Sequence, residues 1–368
     1  MKRRVAFLLV GLVGALAACQ VLVGVSDEEG AARPAGSQVA PAADLCPHTA
    51  PPPPPAGAQD GPDQAPVWFA LTALEGLPRP DGRPVGFDLD QRCTGFPAPT
   101  AFDGGALCAS SFVDDTGGID NAAARLFGAL PGGYGKALFD GFRTQARATR
   151  TLLVYLARYN GQPNDPSVVA RLVASEGLQS TSCDGGAPPG DGGALLEGCD
   201  TWGFPQGTLT PFDGGATPAI LHEGYVSEGR LVLGTKAALE LEVEVARGTF
   251  PLPLSGAVLE ARISEKAGPQ GATLRTLTGT IAGRVSVSAL LSAFARQPAL
   301  CTAPELEAYK RAVCAYRDMP GSLSDDPLRA CTHVSVGLAF SSVQARLGAA
   351  VPPPQAPAPC ALPIPSCE

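Results

Sequence analysis

Polar and apolar residues alternate through much of the chain beyond residue 150. Leu239, Leu241, Val243 and Val245 are separated by Glu240, Glu242 and Glu244, a pattern that buries one face of a strand and leaves the other in water. Leu259, Ala261 and Ile263 alternate in the same way with Glu260, Arg262 and Ser264, and Val334, Val336, Leu338 and Phe340 with Ser335, Gly337 and Ala339. Leu152 to Tyr159 and Val168 to Ala174 are apolar almost without a break and read as central strands covered on both faces. Thr273 to Val285 carries another strand, expected to end at Gly279 and Gly283.

Three stretches switch to helical spacing. Ile119, Ala123, Leu126, Phe127 and Leu130 share one face of a helix over Ile119 to Leu130, with Asp120 or Asn121 placed to cap it. Val287, Leu290, Leu291 and Phe294 stand at i, i+3, i+4 and i+7. Thr302 and Glu305 have capping-box spacing ahead of an apolar face made by Leu306, Tyr309, Val313 and Tyr316. Lys136 to Ala148 is a candidate fourth helix.

Asp81-Gly82, Asp103-Gly104-Gly105, Asp184-Gly185-Gly186, Asp191-Gly192-Gly193 and Asp213-Gly214-Gly215 punctuate the strands. Asp bonds nearby backbone and Gly supplies positive φ, so these are turns. They lack the nine-residue period of calcium β-rolls. Short turns, not regular crossover helices, join the strands. The expected fold is therefore mainly β: an antiparallel β-sandwich, jelly-roll-like, with three or four short helices, in one domain over 67–350 that opens at Val67-Trp68-Phe69.

The first 66 residues differ in character. Met1-Lys2-Arg3-Arg4 is followed by the apolar run Val5 to Ala15 and then Leu16-Ala17-Ala18-Cys19. Cations ahead of a short apolar run make the two regions of an export signal, and the run falls short of the roughly 20 residues a bilayer span needs. With small residues leading to Cys19, the stretch resembles the signal and lipobox of bacterial lipoproteins. That resemblance implies a signal peptide over 1–18, cleavage before Cys19, and lipidation of the Cys19 thiol and its new amine. Each buried methylene then adds about 0.8 kcal/mol of membrane affinity. Gln20 in place of Asp favours the outer membrane of the cell envelope, by the retention rule of enteric bacteria. Residues 19–66 read as a lipidated tether, extended at the proline run Pro51 to Pro55, and 351–368 as a Pro- and Cys-rich tail.

Composition changes this picture in two ways. The net charge is −8, and becomes −11 once Lys2, Arg3 and Arg4 leave with the signal. An acidic chain without a basic run is a poor partner for nucleic acid. Of the 11 cysteines, Cys19 is the lipidation site. The others (Cys46, Cys93, Cys108, Cys183, Cys199, Cys301, Cys314, Cys331, Cys360 and Cys367) are even in number in an exported chain and read as disulfides. Cys93 with Cys108, and Cys183 with Cys199, are candidate local pairs because each would close a short loop rich in Gly and Asp. No Cys-x-x-Cys and no zinc spacing occurs.

Four blocks carry a second resemblance: Cys19-Gln20-Val21-Leu22-Val23-Gly24-Val25; Gly86-Phe87-Asp88-Leu89-Asp90 with Cys93-Thr94; Asp115-Thr116-Gly117-Gly118-Ile119-Asp120-Asn121; and Tyr159-Asn160-Gly161-Gln162-Pro163-Asn164-Asp165-Pro166. They are similar to disulfide- and Asp-Gly-Gly-rich lipoproteins abundant in myxobacteria. The resemblance implies a surface lipoprotein and brings no functional residue with it.

The same blocks hold the one candidate constellation. Asp88, Asp90, Asp114, Asp115, Asp120, Asn121, Asn160, Asn164 and Asp165 are hard oxygen donors on loops flanking strands. Calcium takes 6–8 oxygens, so Ca2+ is the candidate cofactor, with Asp88, Asp90, Asp115, Asp120, Asn121, Asn160, Asn164 and Asp165 as ligands. The competing reading has each side chain bonding its own backbone at a turn or helix start. No segment has EF-hand spacing.

No catalytic residue is assigned. His48 lies in the tether, His222 near a turn and His333 at a strand start, too scattered to read as a triad or a metal pair. Gly224-Tyr225-Val226-Ser227-Glu228-Gly229 misses nucleophile-elbow spacing by one residue. Gly132-Gly133-Tyr134-Gly135-Lys136 lacks the leading Gly and the trailing Ser or Thr of a phosphate loop. Glu240, Glu242 and Glu244 read as a solvated strand face. The expectation is an envelope-anchored lipoprotein, binding or structural and non-enzymatic, with a glycan or protein partner outside the membrane. Two alternatives stand beside it. One is a calcium-stabilised carbohydrate-binding module stacking sugars on Trp68, Trp202, Tyr155, Tyr159 or Tyr225. The other is a hydrolase working through paired carboxylates.

Overall fold

The alternating stretches form strands, and the strands close on themselves. The computed structural model describes the chain from His48 onward except residues 58–60, 77–83, 95–107, 109–111, 132–134, 136–150, 181–197, 213–214, 219–221, 235–237, 246–247, 269–270, 272, 298–299, 301, 322–329, 353–364 and 368. Cys19, Cys46, Cys183, Cys301, Cys360, the helix expected over 136–148 and most of the Asp-Gly turns lie outside the described residues.

The strands are β1 (Val67–Glu75), β2 (Leu152–Ala157), β3 (Asp165–Ala174), β4 (Gly177–Ser180), β5 (Thr201–Pro205), β6 (Leu209–Phe212), β7 (Gly215–Pro218), β8 (His222–Ser227), β9 (Arg230–Gly234), β10 (Leu239–Val245), β11 (Gly248–Ala267), β12 (Thr273–Ser286) and β13 (His333–Val351). The helices are α1 (Ala122–Ala129), α2 (Val287–Ala295) and α3 (Ala303–Ala315). Eight strands are antiparallel neighbours in the order β1-β2-β3-β8-β9-β11-β12-β13, and β13 pairs back onto β1 from Trp68↔Ala345 to Glu75↔Ala339. The fold is mainly β and antiparallel, as expected, but the sheet closes into an eight-stranded barrel where a two-sheet sandwich was anticipated. Alternation reports only that a strand has a dry face and a wet one. The inside of a barrel and the inside of a sandwich present the same pattern.

Closure depends on length. β13 has 19 residues and serves β12 with its first half, β1 with its middle and β5, in parallel, with its end. β12 runs through Gly279 and Gly283 instead of ending at them. The register of β1 shifts between Leu71 and Ala73, a bulge of the kind that bends a strand round a barrel.

Leu231, Leu233, Leu259, Leu277, Ile281, Val336 and Leu338 are among the side chains that fill the interior. Each contributes about 1.5–3 kcal/mol by leaving water. β10 extends the sheet beside the first half of β11, and α2 and α3 pack there through a run of rings. Phe250 to Phe294 is 5.1 Å between centroids and Phe294 to Tyr309 is 5.2 Å. Ser286 caps α2 by accepting from the Ala289 N–H at 3.1 Å. The box expected at α3 does not form. The Thr302 hydroxyl donates to Glu305 Oε2 at 2.6 Å, and its oxygen accepts from no helix N–H.

Outside the barrel, β5 brings Trp202, fully buried, against Ala70, Leu153 and Ala345. Part of the segment expected to be a spacer lies on the wall: Tyr225 OH donates to Pro52 O at 2.6 Å, and the Gln64 N–H to Tyr159 O at 2.8 Å.

Cys108 is bonded to Cys331 and Cys314 to Cys367; Cys93 and Cys199 are also in disulfides. The expected local pair of Cys93 with Cys108 is therefore replaced by a bond spanning 223 residues. Loop length along the chain was a poor guide here, because the fold carries Cys108 to the start of β13. Replacing Cys108 and Cys331 together by Ser is expected to cost about 2–5 kcal/mol of unfolding free energy. Denaturant titration of the double variant checks this, and an unchanged midpoint would contradict it.

Candidate metal centre

Three loop segments come together over the outer face of β13 where it begins. Residues 84–94 lie directly on the strand. A Cβ at Gly337 would sit 2.1 Å from Val85 O, so only glycine allows the approach. Asn121 fills the seam. Its amide donates to Val85 O at 2.7 Å and Gly337 O at 3.2 Å, while its carbonyl accepts from the Gly337 N–H at 3.0 Å and caps α1 at Ala124 N. Ser335 accepts from the Ala122 N–H at 2.8 Å and gives its own hydroxyl proton to Asp318. The Ser335 N–H also donates to Asp318, at 2.8 Å.

Around this seam stand five acidic residues. Asp88, Asp90 and Asp120 each place a carboxylate oxygen within 4.8 Å of the others. Asp120 accepts from the Leu89 N–H at 2.7 Å, and the Arg92 N–H is shared by Asp88 at 3.1 Å and Asp90 at 2.9 Å. The second Asp88 oxygen is paired with His48 Nδ1. Asp114 accepts from the Thr94 N–H. Gly118, at φ +68°, turns the Asp115 loop back against Asp88, where a Cβ would fall 2.8 Å from Asp88 Oδ2. Asp120 is 2% exposed, and Asp88, Asp114 and Asp318 are buried as well.

Burial and crowding raise Asp90, Asp114, Asp120 and Asp318. Asp90 is pushed up to about 6, by desolvation first and then by Asp88. Asp114 rises to about 7, chiefly by desolvation, with Asp90 and Asp318 adding repulsion against the bond from Thr94. Asp318 reaches about 7 through burial, partly offset by its bonds from Ser335. Asp120 rises furthest, to about 10, again from burial and then from Asp90, Asp114 and Asp318. The charges of Arg92 and Arg284 both couple to Asp90, and burial lowers the pKa of Arg284.

Hard oxygens crowded in a buried place are what a divalent ion relieves. Two oxygens on one calcium ion lie at most about 5 Å apart, twice the 2.3–2.6 Å bond, and the Asp88, Asp90 and Asp120 oxygens meet that limit. They fit Ca2+. His48, Asp88 and Cys93 also converge, but Cys93 is in a disulfide and offers no thiolate.

The remaining expected ligands are otherwise engaged. Asp115 pairs with Arg125 at 3.0 Å on the surface, and Asn121 is occupied as a cap. Asn160 accepts from the Gln162 N–H, Asp165 from the N–H groups of Asn160 and Ser167, and Asn164 from the Glu228 N–H. These last three shape the turn after β2, at the level where β13 reaches Ala345. Ala345 is roughly 26 Å from Gly337 at 3.3 Å per residue. The single eight-residue site therefore divides: three carboxylates at one end, local turn chemistry at the other. Asp318 and His48 join the acidic centre without a sequence signal, one following α3 and the other read as tether. Comparison of the chain with protein-family models, curated proteins and solved structures finds no match.

A raised acid in the fold is an advantage below its ordinary value of 3.8 and a growing cost as pH climbs toward its folded value. In chelator, Asp120→Asn, which keeps an acceptor for Leu89 and removes the charge, is expected to melt near the parent at pH 4. It should melt several degrees higher at pH 8. Calcium should raise the parent's Tm at pH 8 and leave the variant's unmoved. Scanning calorimetry reads both; a parent Tm indifferent to calcium removes the ion from this site.

Proposed function

We propose that this chain is an envelope lipoprotein, held to a membrane through acylated Cys19, whose barrel acts by binding or as a structural body and not by catalysis. The observation that carries the reading is the run from Met1 to Cys19: three cations, a short apolar stretch, Ala17-Ala18, then cysteine. The bonds Cys108–Cys331 and Cys314–Cys367 suit an oxidising compartment. The barrel is apolar within and carries the ion pair of Arg230 and Glu260 on its outer wall. That is the reverse of a membrane-spanning barrel, which leaves attachment to the lipid. Gln20 directs the protein to the outer membrane, and the likeness to Asp-Gly-Gly-rich myxobacterial lipoproteins points the same way.

The calcium-stabilised carbohydrate module has support for its first half only. Asp88, Asp90 and Asp120 converge as a structural cation site would require. The stacking rings do not form a platform. Trp202, Tyr155 and Tyr159 are buried, Trp68 leans on Tyr155 at 4.8 Å, and Tyr225 is half-buried with its hydroxyl on Pro52. A carboxylate hydrolase needs its pair across an open cleft, whereas Asp88 and Asp120 are buried beneath their loops.

Cys19→Ser is expected to move the protein from the membrane fraction to the soluble extracytoplasmic fraction and to abolish labelling by radioactive palmitate. Fractionation with immunoblotting measures it. A variant that stays membrane-bound overturns the anchor.

A further inference from the structure

Among the described residues, the outer face of β13 is covered at both ends and open between them. At Gly337 the 84–94 segment lies on it, and at Ala345 Trp202 does; Ala339 and Ser341 are left partly exposed. Strand register lays two rows of outward side chains across this window. One row runs Arg262, Thr278, Ser341, Ala73 and the next Glu260, Thr280, Ala339, Glu75, each in the order β11, β12, β13, β1. The middle positions are small and the flanks are charged. The result is a groove of about 610 Å³ with a low floor and ionic walls.

The two walls are not equivalent. On the β11 side Glu260 is engaged by Arg230 at 2.7 Å, and Arg262 is exposed with no ion-pair or hydrogen-bond partner among the described residues. On the β1 side Glu75 is half-buried and equally without a partner among them. Three strand spacings of 4.7–4.9 Å separate β11 from β1, and Glu75 stands two residues along the strands from the row of Arg262, so the two positions are roughly 16 Å apart. At that distance in water their attraction is only about 0.3 kcal/mol, so neither charge satisfies the other. About 3 Å for a charged contact at each wall leaves roughly 10 Å between the two charges of a bridging ligand. Extended chain covers 3.3–3.6 Å per residue, so about three residues fill the gap.

We propose that this groove binds a short peptide by its free ends, the carboxylate on Arg262 and the ammonium on Glu75, with the peptide backbone over the hydroxyls of Thr278 and Ser341. The small floor lets a peptide backbone approach the sheet. The opposed charges fix its direction and select a zwitterion over a blocked peptide. The inference is independent of the lipid anchor, so its failure and the failure of membrane attachment are separate results.

The test uses the mature chain carrying Cys19→Ser, with trialanine as the probe and amide chemical shifts as the readout. Saturable shifts confined to β11, β12, β13 and β1 are expected. Arg262→Gln and Glu75→Gln should each weaken binding about fivefold, the order expected of one partly exposed ion pair, with the parent's melting temperature retained. N-acetyl-trialanine should be insensitive to Glu75→Gln, and trialanine amide to Arg262→Gln. The proposal is overturned by the absence of saturable shifts at 20 mM trialanine (on the order of a very weak millimolar limit), by equal binding of the doubly blocked peptide, or by variants that bind like the parent.

Discussion

The pairing of β13 with β1 is the contact on which the rest of the molecule depends. Without it the eight strands would be an open sheet with two bare edges, and its apolar face would need a second layer. With it, Leu277, Ile281, Val336, Leu338 and their neighbours face one another across a closed interior. β13 is long enough to hold β12, β1 and β5 in turn, so the same strand closes the barrel and carries the outer layer that packs Trp202.

That strand is also the floor of the acidic centre. Val85 rests on Gly337, Asn121 bonds across the seam, and Ser335 holds Asp318. The Cys108–Cys331 bond fastens the same region just before β13 begins. Loops so firmly placed can hold several carboxylates where water does not reach them. A buried charge is costly unless paired, and here Asp90, Asp114 and Asp318 stand close enough to raise Asp120. The arrangement favours protons or a divalent ion, and the spacing of Asp88, Asp90 and Asp120 admits calcium.

The outer wall shows the complementary economy. Where loops cover β13, glycine and alanine lie beneath them; where none of the described residues covers it, Ala339, Ser341, Thr278 and Ala73 are small. Small residues at an uncovered place bury little apolar area and so add little to stability. Their value lies in what they let approach, which is why the groove between Arg262 and Glu75 carries the functional inference.

Local patterns were legible in the sequence because local physics decides them. Leu239 to Val245 and Val334 to Phe340 alternate, and both are strands; Val287 to Phe294 keeps helical spacing, and it is α2; Asn121 stands where a cap is needed, and it caps. Asp88, Asp90 and Asp120 were visible as oxygen donors on neighbouring blocks. The sequence could not say that β1 meets β13, that Cys108 passes over Cys93 for Cys331, or that Asn160, Asn164 and Asp165 belong to the far end. Nor could it bring in Asp318 from behind α3. Residue spacing fixes which face of an element is dry and which backbone groups a side chain can reach within a turn. Which dry faces meet, and which distant acids are forced into one buried place, depends on how strands that lie far apart in the chain share a single closed core.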